Sequence, residues 1–334
     1  MSAPADEFEI IRALFAPLAT DPQARGLIDD VAVLAAREGL VVTTDAIIEG
    51  VHFLPDDPID TVAKKALRVN FSDLVAKGAR PVGVLLTLLW PNARPAAQIA
   101  GFARGLGEDL KLYEVALLGG DTCATPGPLT VSITAFGDPC GARTPSRADA
   151  SIGEQVWVTG VIGEAYLGLM QLTSEPDILG AAPEDRVDHL AAQARLHYRV
   201  PQPPVALAPA IADFASASID VSDGLIADAA KLAAASGVAI RIDADAVPLL
   251  GGEDYVARHG AAGLMRLLCG GDDYEALFTA APESRGAILA AGRAAGINVT
   301  LIGDVEAGAG VRVIGADGRE LAHEVGGHAH RLGA

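Results

Sequence analysis

The sequence has no hydrophobic run long enough to cross a membrane, although half of its 334 residues are hydrophobic. The longest run covers residues 82 to 90, is too short for a bilayer, and is interrupted by Thr87. The chain also lacks the basic start of a secretory signal, because Asp6, Glu7 and Glu9 precede its first Lys or Arg. We therefore expect a cytoplasmic protein with no membrane partner.

Positive charge is scarce in this chain. It has 25 Lys and Arg residues against 43 Asp and Glu residues, which gives a formal net charge of -18. A protein of this charge repels a phosphate backbone rather than gathering it. The composition therefore disfavours nucleic acid as a partner.

Metal-binding cysteine pairs and the common nucleotide motifs are missing. Cys123, Cys140 and Cys269 are widely spaced and form no Cys-x-x-Cys, so neither a disulfide framework nor a zinc site is indicated. The chain has no Gly-x-x-x-x-Gly-Lys-Ser/Thr, no Gly-x-Gly-x-x-Gly that opens a helix, and no protein-kinase signatures. These absences exclude the common nucleotide-binding motifs.

The length and the order of the apolar segments predict an α/β (α+β) fold with two domains. A polar segment at residues 137 to 153, which contains Pro139 and Pro145, indicates the boundary between domains of residues 1 to 148 and 149 to 334. Helices are predicted over residues 8 to 16, 59 to 77, 95 to 112, 163 to 172, 225 to 235 and 283 to 295. Strands are predicted over residues 82 to 89, 115 to 118, 129 to 136, 155 to 159, 217 to 221, 238 to 242, 275 to 279, 299 to 302 and 311 to 314.

Carboxylates recur where the apolar runs end. The run that begins at Val41 ends in Thr43, Thr44 and Asp45, which is typical of a strand that delivers polar atoms to a site. Other acids follow such runs or interrupt a helix, namely Asp29, Asp30, Asp73, Asp121, Asp220 and Asp223. Singly, such acids are more often turn residues or helix caps, and we expect Asp220 or Asp223 to cap the helix at Leu225. Their repetition predicts a shared site.

The donor atoms in these segments are oxygens, including the hydroxyls of Thr43, Thr44 and Ser222. Many carboxylates in one place repel each other unless cations lie between them. Oxygen ligands select Mg²⁺ or Mn²⁺ over zinc, and these ions fill their remaining positions with water and phosphate oxygens. The sequence therefore predicts a cluster of divalent cations that carries a phosphorylated substrate.

Six motifs in chain order together resemble those of thiamine-monophosphate kinase, and the resemblance extends from residue 8 to about residue 330. The motifs are Asp29-Asp30, Thr43-Thr44-Asp45 with Glu49-Gly50-Val51-His52-Phe53, Asn70-Phe71-Ser72-Asp73-Leu74, Gly119-Gly120-Asp121-Thr122, Asp220-Val221-Ser222-Asp223-Gly224-Leu225 and Gly270-Gly271-Asp272-Asp273-Tyr274-Glu275. Each motif is weak alone, and their combination is highly specific.

The resemblance implies transfer of the ATP γ-phosphoryl group to thiamine monophosphate, on a fold shared with aminoimidazole ribonucleotide synthetase. It implies an N-terminal α/β domain with a mixed sheet, which binds ATP and Mg²⁺ and closes a β-barrel across a homodimer, and a C-terminal α/β sandwich. The implied Mg²⁺ ligands are Asp30, Thr43, Thr44, Asp45, Asp73, Asp121, Asp220 and Asp223. The implied ATP contacts are Gly120, Asp121, Arg147 and Ser222, and the implied contacts with thiamine monophosphate are His52 and Asp272.

The predicted reaction needs no general base, because a phosphate monoester is largely ionised at neutral pH. We expect Asp45, Asp73 and Asp121 to assist the transfer. Three features depart from the family pattern: Ile28 replaces a glycine, Asp272 stands where a Glu is usual, and residues 327 to 331 lack an aromatic residue. Two alternatives stay open, another ATP-dependent synthetase of the same fold and a nucleotide- or Mg²⁺-binding regulator without turnover.

Overall fold

The computed structural model describes residues 7–27, 34, 39–174, 178, 184–249 and 252–321. Its α-helices are α1 (Glu7–Ile10), α2 (Ile59–Ala76), α3 (Ile99–Leu112), α4 (Glu164–Thr173), α5 (Glu184–Arg199), α6 (Ala208–Phe214), α7 (Leu225–Ser236), α8 (Gly252–Cys269) and α9 (Arg285–Ala295). Its strands are β1 (Val41–Ile48), β2 (Ala79–Pro91), β3 (Ala116–Thr125), β4 (Thr130–Pro139), β5 (Gln155–Thr159), β6 (Ala217–Val221), β7 (Ala239–Asp243), β8 (Glu275–Ala280), β9 (Val299–Glu306) and β10 (Gly310–Ile314). None of the described helices is both long and apolar enough to span a bilayer.

The chain divides into two compact units. The N-terminal unit comprises Met1–Leu74 and Arg80–Pro139, and the C-terminal unit comprises Val75–Ala79 and Cys140–Ala334. One point of division therefore falls inside α2. The domain boundary inferred from composition, between residues 148 and 149, stays a prediction.

The N-terminal unit contains a four-stranded mixed sheet in the order β1-β4-β2-β3. β1 runs antiparallel to β4, whereas β2 and β3 are parallel. α2 is buried on nearly all sides from Val62 to Ala76, with Leu67, Asn70 and Leu74 at 0% exposure. Two polar residues of α2, Asn70 and Asp73, lie beside strand β1 of the sheet.

The C-terminal unit contains a six-stranded mixed sheet in the order β10-β7-β9-β5-β8-β6. Both of its faces are covered, as successive residues of β8 show. Leu277 packs into a cluster with Leu225 of α7, and Phe278 packs into another cluster with Ile211 of α6. This unit is therefore an α/β sandwich, and the mixed α/β fold class is confirmed.

Most predicted elements are present, but no bounds were predicted for α5, α6 and α8, and β3 is longer than predicted. α8 was missed because Gly260 interrupts it with φ 60° and ψ -152°, so its apolar residues do not follow one helical period. β3 extends seven residues past its predicted end at Leu118, because its ladder with β2 continues to Thr125. Gly120 and Asp121 therefore lie within a strand and not in a loop after it.

Candidate active site

β1 and α2 bring three of the predicted metal ligands together. The Thr43 hydroxyl donates a hydrogen bond to Oδ2 of Asp73 at 2.6 Å. The main-chain N–H of Asp45 donates to Oδ1 of Asn70 at 2.9 Å. Thr43 and Asp45 share one side of β1 because they are two residues apart, and Asp45 is exposed. Asn70 and Asp73 of α2 thus face β1, the strand that carries Thr43 and Asp45.

Thr44 points to the other side of β1. Its hydroxyl donates to the main-chain oxygen of Ile133 at 3.1 Å and accepts from the Thr134 hydroxyl at 3.3 Å. These bonds join β1 to β4, because Thr44 lies opposite Thr134 in the ladder of the two strands. The structure therefore separates Thr44 from the group that contains Thr43 and Asp73.

His52 follows the turn after β1, and its ring is oriented by the main chain. The Ile48 N–H donates to Nδ1 of His52 at 3.0 Å. A ring nitrogen that accepts a hydrogen bond carries no proton, so the neutral imidazole has its proton on Nε2. His52 therefore has the tautomer whose Nε2–H is able to donate to a phosphate oxygen.

Asp121 follows an irregularity in the parallel ladder of β2 and β3. The register shifts between Val84 and Leu85, which is the signature of a β-bulge, and bulges redirect side chains. Gly120 has φ +154°, and a Cβ on it would lie 1.8 Å from the carbonyl oxygen of Leu86. Only glycine fits at this position, and the following Asp121 carboxylate is exposed.

Two loops of the C-terminal unit, residues 222–224 and residues 270–274, are joined through their main chains. The Asp272 N–H donates to the carbonyl oxygen of Ser222 at 2.9 Å. A Cβ on Gly271 would lie 2.5 Å from that same oxygen, so the glycine is required for the close approach. The structure therefore brings a predicted ATP contact and a predicted substrate contact next to each other.

The expectation that Asp220 or Asp223 caps α7 is wrong. The N-cap residue of α7 is Gly224, and no side chain caps this helix end. The turn is instead held from within the helix, because Oδ2 of Asp228 accepts from the N–H groups of Ser222 at 3.0 Å and Asp223 at 2.9 Å. The two acids of the motif are therefore not used as caps.

Asp228 and Lys231 are residues of this site that sequence reasoning missed. Lys231 forms ion pairs with both Asp223 and Asp228, the latter at 2.7 Å. Burial raises the pKa of Asp228, and the hydrogen bond from Lys231 opposes that rise. Their spacing of three residues on a helix after an acidic loop was the available signal. Lys231 balances part of the Asp223 charge.

The remaining predicted residues have different surroundings. Asp220 lies on β6 and is only 6% exposed, whereas Arg147 is exposed in the segment before β5. Asp30, its neighbour Ile28 and the C-terminal segment 327 to 331 lie outside the described residues. The convergence of acids from both halves of the chain stays a prediction.

A second polar group lies buried behind residues 270–274. Oδ2 of Asp273 accepts from the Gly163 N–H at 2.8 Å, and its Oδ1 accepts from the Ala165 N–H at 3.4 Å. These bonds supply the N-terminus of α4 with partners, as a cap does. His197 Nδ1 lies 2.9 Å from Oε2 of Glu164, and its Nε2 lies 3.3 Å from the main-chain oxygen of Asp273. Both ring nitrogens face acceptors, which favours the imidazolium form.

The pKa values of this buried group are strongly shifted. Burial raises the pKa of Asp273 to about 8 and that of Glu275 to about 7. Burial alone would lower the pKa of His197, but the hydrogen bond with Glu164 and the charge of Asp273 raise it to about 9. The group therefore holds protons near neutral pH that an unfolded chain would have released.

The oxygen atoms that β1 and α2 bring together are suited to binding Mg²⁺. Thr43, Asp45 and Asp73 offer hydroxyl and carboxylate oxygens, and Asp121 offers another carboxylate. Within the described part of the chain, no three His, Cys, Asp or Glu side chains gather closely enough to hold a metal ion. Mg²⁺ commonly binds one or two protein carboxylates and completes its shell with water and substrate phosphates, so these donors fit it chemically.

Two family models match the chain. The model described as AIR synthase related protein, N-terminal domain, matches residues 28–138. The model described as AIR synthase related protein, C-terminal domain, matches residues 153–316. Together they cover well over half of the chain.

Curated and solved relatives match over most of its length. Thiamine-monophosphate kinase of Caulobacter vibrioides is 42% identical over 316 residues, which are 93% of this chain and 87% of that protein. The crystal structure of thiamine-monophosphate kinase from Stenotrophomonas maltophilia K279a has a TM-score of 0.77 and 36% identity, covering 88% of this chain and 90% of that one. A second structure, AaThiL complexed with AMPPCP and TMP, has a TM-score of 0.75 and 30% identity, covering 97% of this chain and 97% of that one.

Proposed function

Because this chain belongs to the thiamine-monophosphate kinase family, we propose that it transfers the γ-phosphoryl group of ATP to thiamine monophosphate. The products are thiamine diphosphate and ADP. The observation that carries the proposal is the likeness, over 97% of both chains, to a relative complexed with AMPPCP and TMP. AMPPCP is an ATP analogue, so that relative holds counterparts of both proposed reactants.

The proposed step is an in-line transfer between two phosphate groups. An oxygen of the acceptor phosphate forms a bond to the γ-phosphorus of ATP as the bond to the β,γ-bridging oxygen breaks, and ADP leaves with that electron pair. The acceptor phosphate has a second pKa of about 6, so it is ionised at neutral pH and needs no base. Catalysis therefore depends on alignment of two anions and on stabilisation of their charge.

The residues are assigned to roles by the family motifs that they occupy. We assign Mg²⁺ binding to Asp30, Thr43, Asp45, Asp73, Asp121, Asp220 and Asp223, whereas the hydroxyl of Thr44, which the family motif also includes, bonds to the Ile133 carbonyl. We assign contacts with ATP to Gly120, Asp121, Arg147 and Ser222, and contacts with thiamine monophosphate to His52 and Asp272. Mg²⁺, when bound, would neutralise phosphate charge in the transition state.

Several features of the chain support these roles. The hydrogen bond of 2.6 Å from Thr43 holds the Asp73 carboxylate toward β1, where Asp45 is exposed. The glycine at position 120 permits close approach of the Leu86 carbonyl, which fixes the main chain from which Asp121 projects. The Nε2–H of His52 provides a donor for the acceptor phosphate. Each feature supplies one part of a polyphosphate site.

We also propose that the protein is a homodimer that uses its N-terminal unit for association. Support comes from β1 and the segment before it, where Val42 is 53% exposed and Leu40 is 37% exposed. Apolar side chains on an exposed strand are suited to contact with a second copy. Light scattering after size exclusion tests this proposal, because a monomeric mass would contradict it.

The function is tested with purified protein, ATP, thiamine monophosphate and Mg²⁺. We expect thiamine diphosphate and ADP to appear in equal amounts, as measured by chromatography. An assay with EDTA in place of Mg²⁺ measures the metal requirement, and thiamine in place of its monophosphate measures the need for the acceptor phosphate.

The same assay distinguishes the two alternatives. Release of ADP only with an aminoimidazole precursor would identify a synthetase of the same fold and overturn the proposal. Binding of ATP without product at any Mg²⁺ concentration would identify a regulator without turnover. Thiamine diphosphate formation excludes both outcomes.

A further inference from the structure

The strongest unassigned feature lies behind Asp272, in the buried group formed by Glu164, His197 and Asp273. Their exposed fractions are 3%, 8% and 0%, and all three belong to the C-terminal unit. Burying several ionisable groups is costly unless each is paired. None of them is among the residues to which a part in the phosphoryl transfer is assigned, so their arrangement calls for another role.

The main chain around Asp272 has an unfavourable conformation. Asp272 has φ 72° and Tyr274 has φ 53°, although neither is a glycine. Residues other than glycine rarely adopt a positive φ, and such conformations persist only where the surrounding structure imposes them. The strained positions flank Asp273, which is the residue that the buried group holds.

Residue 273 is held at both its side chain and its main chain. Its carboxylate accepts from Gly163 and Ala165 at the start of α4, and its carbonyl oxygen faces His197 Nε2 at 3.3 Å. His197 in turn faces Glu164, the first residue of α4, at 2.9 Å. These contacts link α4, α5 and the loop of residues 270–274 to one another.

The residues on either side of Asp273 are fixed by the same geometry. The Asp272 N–H donates to the Ser222 carbonyl at 2.9 Å, and the Tyr274 N–H donates to the Val221 carbonyl at 2.8 Å. The Tyr274 hydroxyl donates to Oδ1 of Asp272 at 3.2 Å. The orientation of the Asp272 carboxylate thus depends on where Asp273 is held.

We infer that Glu164, His197 and Asp273 are positioning residues that hold Asp272 in the conformation that binds the acceptor substrate. This inference rests on the proposed contact of Asp272 with thiamine monophosphate. Loss of the connection lets the loop relax from its strained conformation, so the Asp272 carboxylate no longer has a fixed orientation. Binding of the acceptor weakens, whereas binding of ATP does not.

The kinetic test compares His197→Gln with His189→Gln. His189 lies on the same helix and is exposed, so it is a matched control. We expect His197→Gln to raise KM for thiamine monophosphate about 10-fold, with kcat and KM for ATP changed less than about 2-fold. Glu164→Gln, which keeps a hydrogen-bond acceptor for His197, should give a smaller rise. A fall in kcat at unchanged KM would show a merely structural role and overturn the inference.

A double-mutant cycle tests whether His197 acts through Asp272. In an Asp272→Ala background, His197→Gln should raise KM for thiamine monophosphate no further, because the carboxylate to be positioned is gone. Independent effects that multiply in the double variant would overturn the inference, although the proposed function would stand.

Hydrogen exchange gives a measurement that needs no substrate. We expect the amides of Asp272 and Tyr274 to exchange at least about 10-fold faster in His197→Gln than in His189→Gln, because their bonds to Ser222 and Val221 open more often. Equal exchange rates in the two variants would overturn the inference. If the wild type formed no thiamine diphosphate, the proposed function would fail, and the role of Asp272 in binding would fail with it.

Discussion

Two groups of acidic residues, one in each unit, have opposite surroundings. In the N-terminal unit, Asp45 and Asp121 stand on strands with exposed carboxylates. In the C-terminal unit, Asp273 and Glu275 are at most 4% exposed and accept hydrogen bonds from the protein itself. The exposed acids are accessible to cations and ligands, whereas burial raises the pKa values of Asp273 and Glu275, which are bonded within the protein. Acidic residues in similar motifs therefore have different roles. Burial distinguishes an acid that is accessible to a ligand from one that stabilises the fold.

The largest effect is expected from the exposed acids. Asp45→Asn or Asp121→Asn should lower turnover at least about 10³-fold, because each removes a carboxylate that would hold Mg²⁺ against the phosphates. The free energy of unfolding should change by less than about 0.5 kcal/mol, since both side chains are exposed. Rates of thiamine diphosphate formation and urea unfolding curves measure the two quantities.

Asp56→Asn is the control for these variants. Asp56 is an exposed acid of the same unit with no assigned role. We expect it to keep wild-type turnover, which would show that overall charge is not the cause. Wild-type turnover in both Asp45→Asn and Asp121→Asn would refute the assignment of these acids.

The bulged ladder should be the most sensitive part of the N-terminal unit to added volume. Gly120→Ala should lower the free energy of unfolding by about 3 kcal/mol, since its Cβ would collide with the Leu86 carbonyl. Gly119→Ala should cost less than about 1 kcal/mol, because its Cβ would meet only Cδ2 of Leu85 at 3.4 Å. Circular dichroism during urea unfolding measures both, and equal costs would contradict the role of the bulge.

The buried group predicts a dependence of stability on pH. His197 and Asp273, with folded pKa values raised to about 9 and about 8, hold protons that the unfolded chain releases at lower pH. Stability should therefore fall as pH rises from about 7 to about 9.5, by on the order of 2 kcal/mol. Urea unfolding at several pH values measures this slope.

Asp273→Asn should make that slope shallower, because an amide has no titrating proton and does not support the charge of His197. The comparison is made within one series of buffers of equal ionic strength. A slope as steep as that of the wild type would show that the proton uptake arises elsewhere.

The smallest effect is expected at His52. His52→Leu should raise KM for thiamine monophosphate about 10-fold, since it removes one donor to the acceptor phosphate. His52→Gln keeps an N–H donor and should recover part of the loss. Steady-state kinetics with saturating ATP measure both variants, and identical KM values in the two would argue against a donor role.

Much of the fold was predictable because its signals are local. The apolar period of α2 and the runs of β2 and β5 appear within a few residues of sequence, and each prediction matches an element. α8 was not predictable, because Gly260 breaks its period. The extension of β3 past Leu118 was equally hidden, because it depends on pairing with β2 and not on its own residues.

The site was predictable in its chemistry and only partly in its geometry. The sequence pointed to Thr43, Asp45 and Asp73 as oxygen donors, and the structure joins β1 to α2 at these residues. It wrongly favoured Asp220 or Asp223 as the cap of α7, a position that a local rule assigns by adjacency. Asp228, in the first turn of α7, instead accepts from the N–H groups of Ser222 and Asp223, which precede the helix.

The sequence by itself determined the order of elements, the excess of acidic oxygen donors and the motifs of the family, since each is a property of composition or short spacing. The tertiary structure alone decided which acids are exposed and which are buried. The Asp273 carboxylate accepts a hydrogen bond from Gly163, which is 110 residues away in the sequence. Its carbonyl oxygen contacts His197, which is 76 residues away. Contacts at such separations leave no local pattern, because they form only when the sheet and its helices have packed.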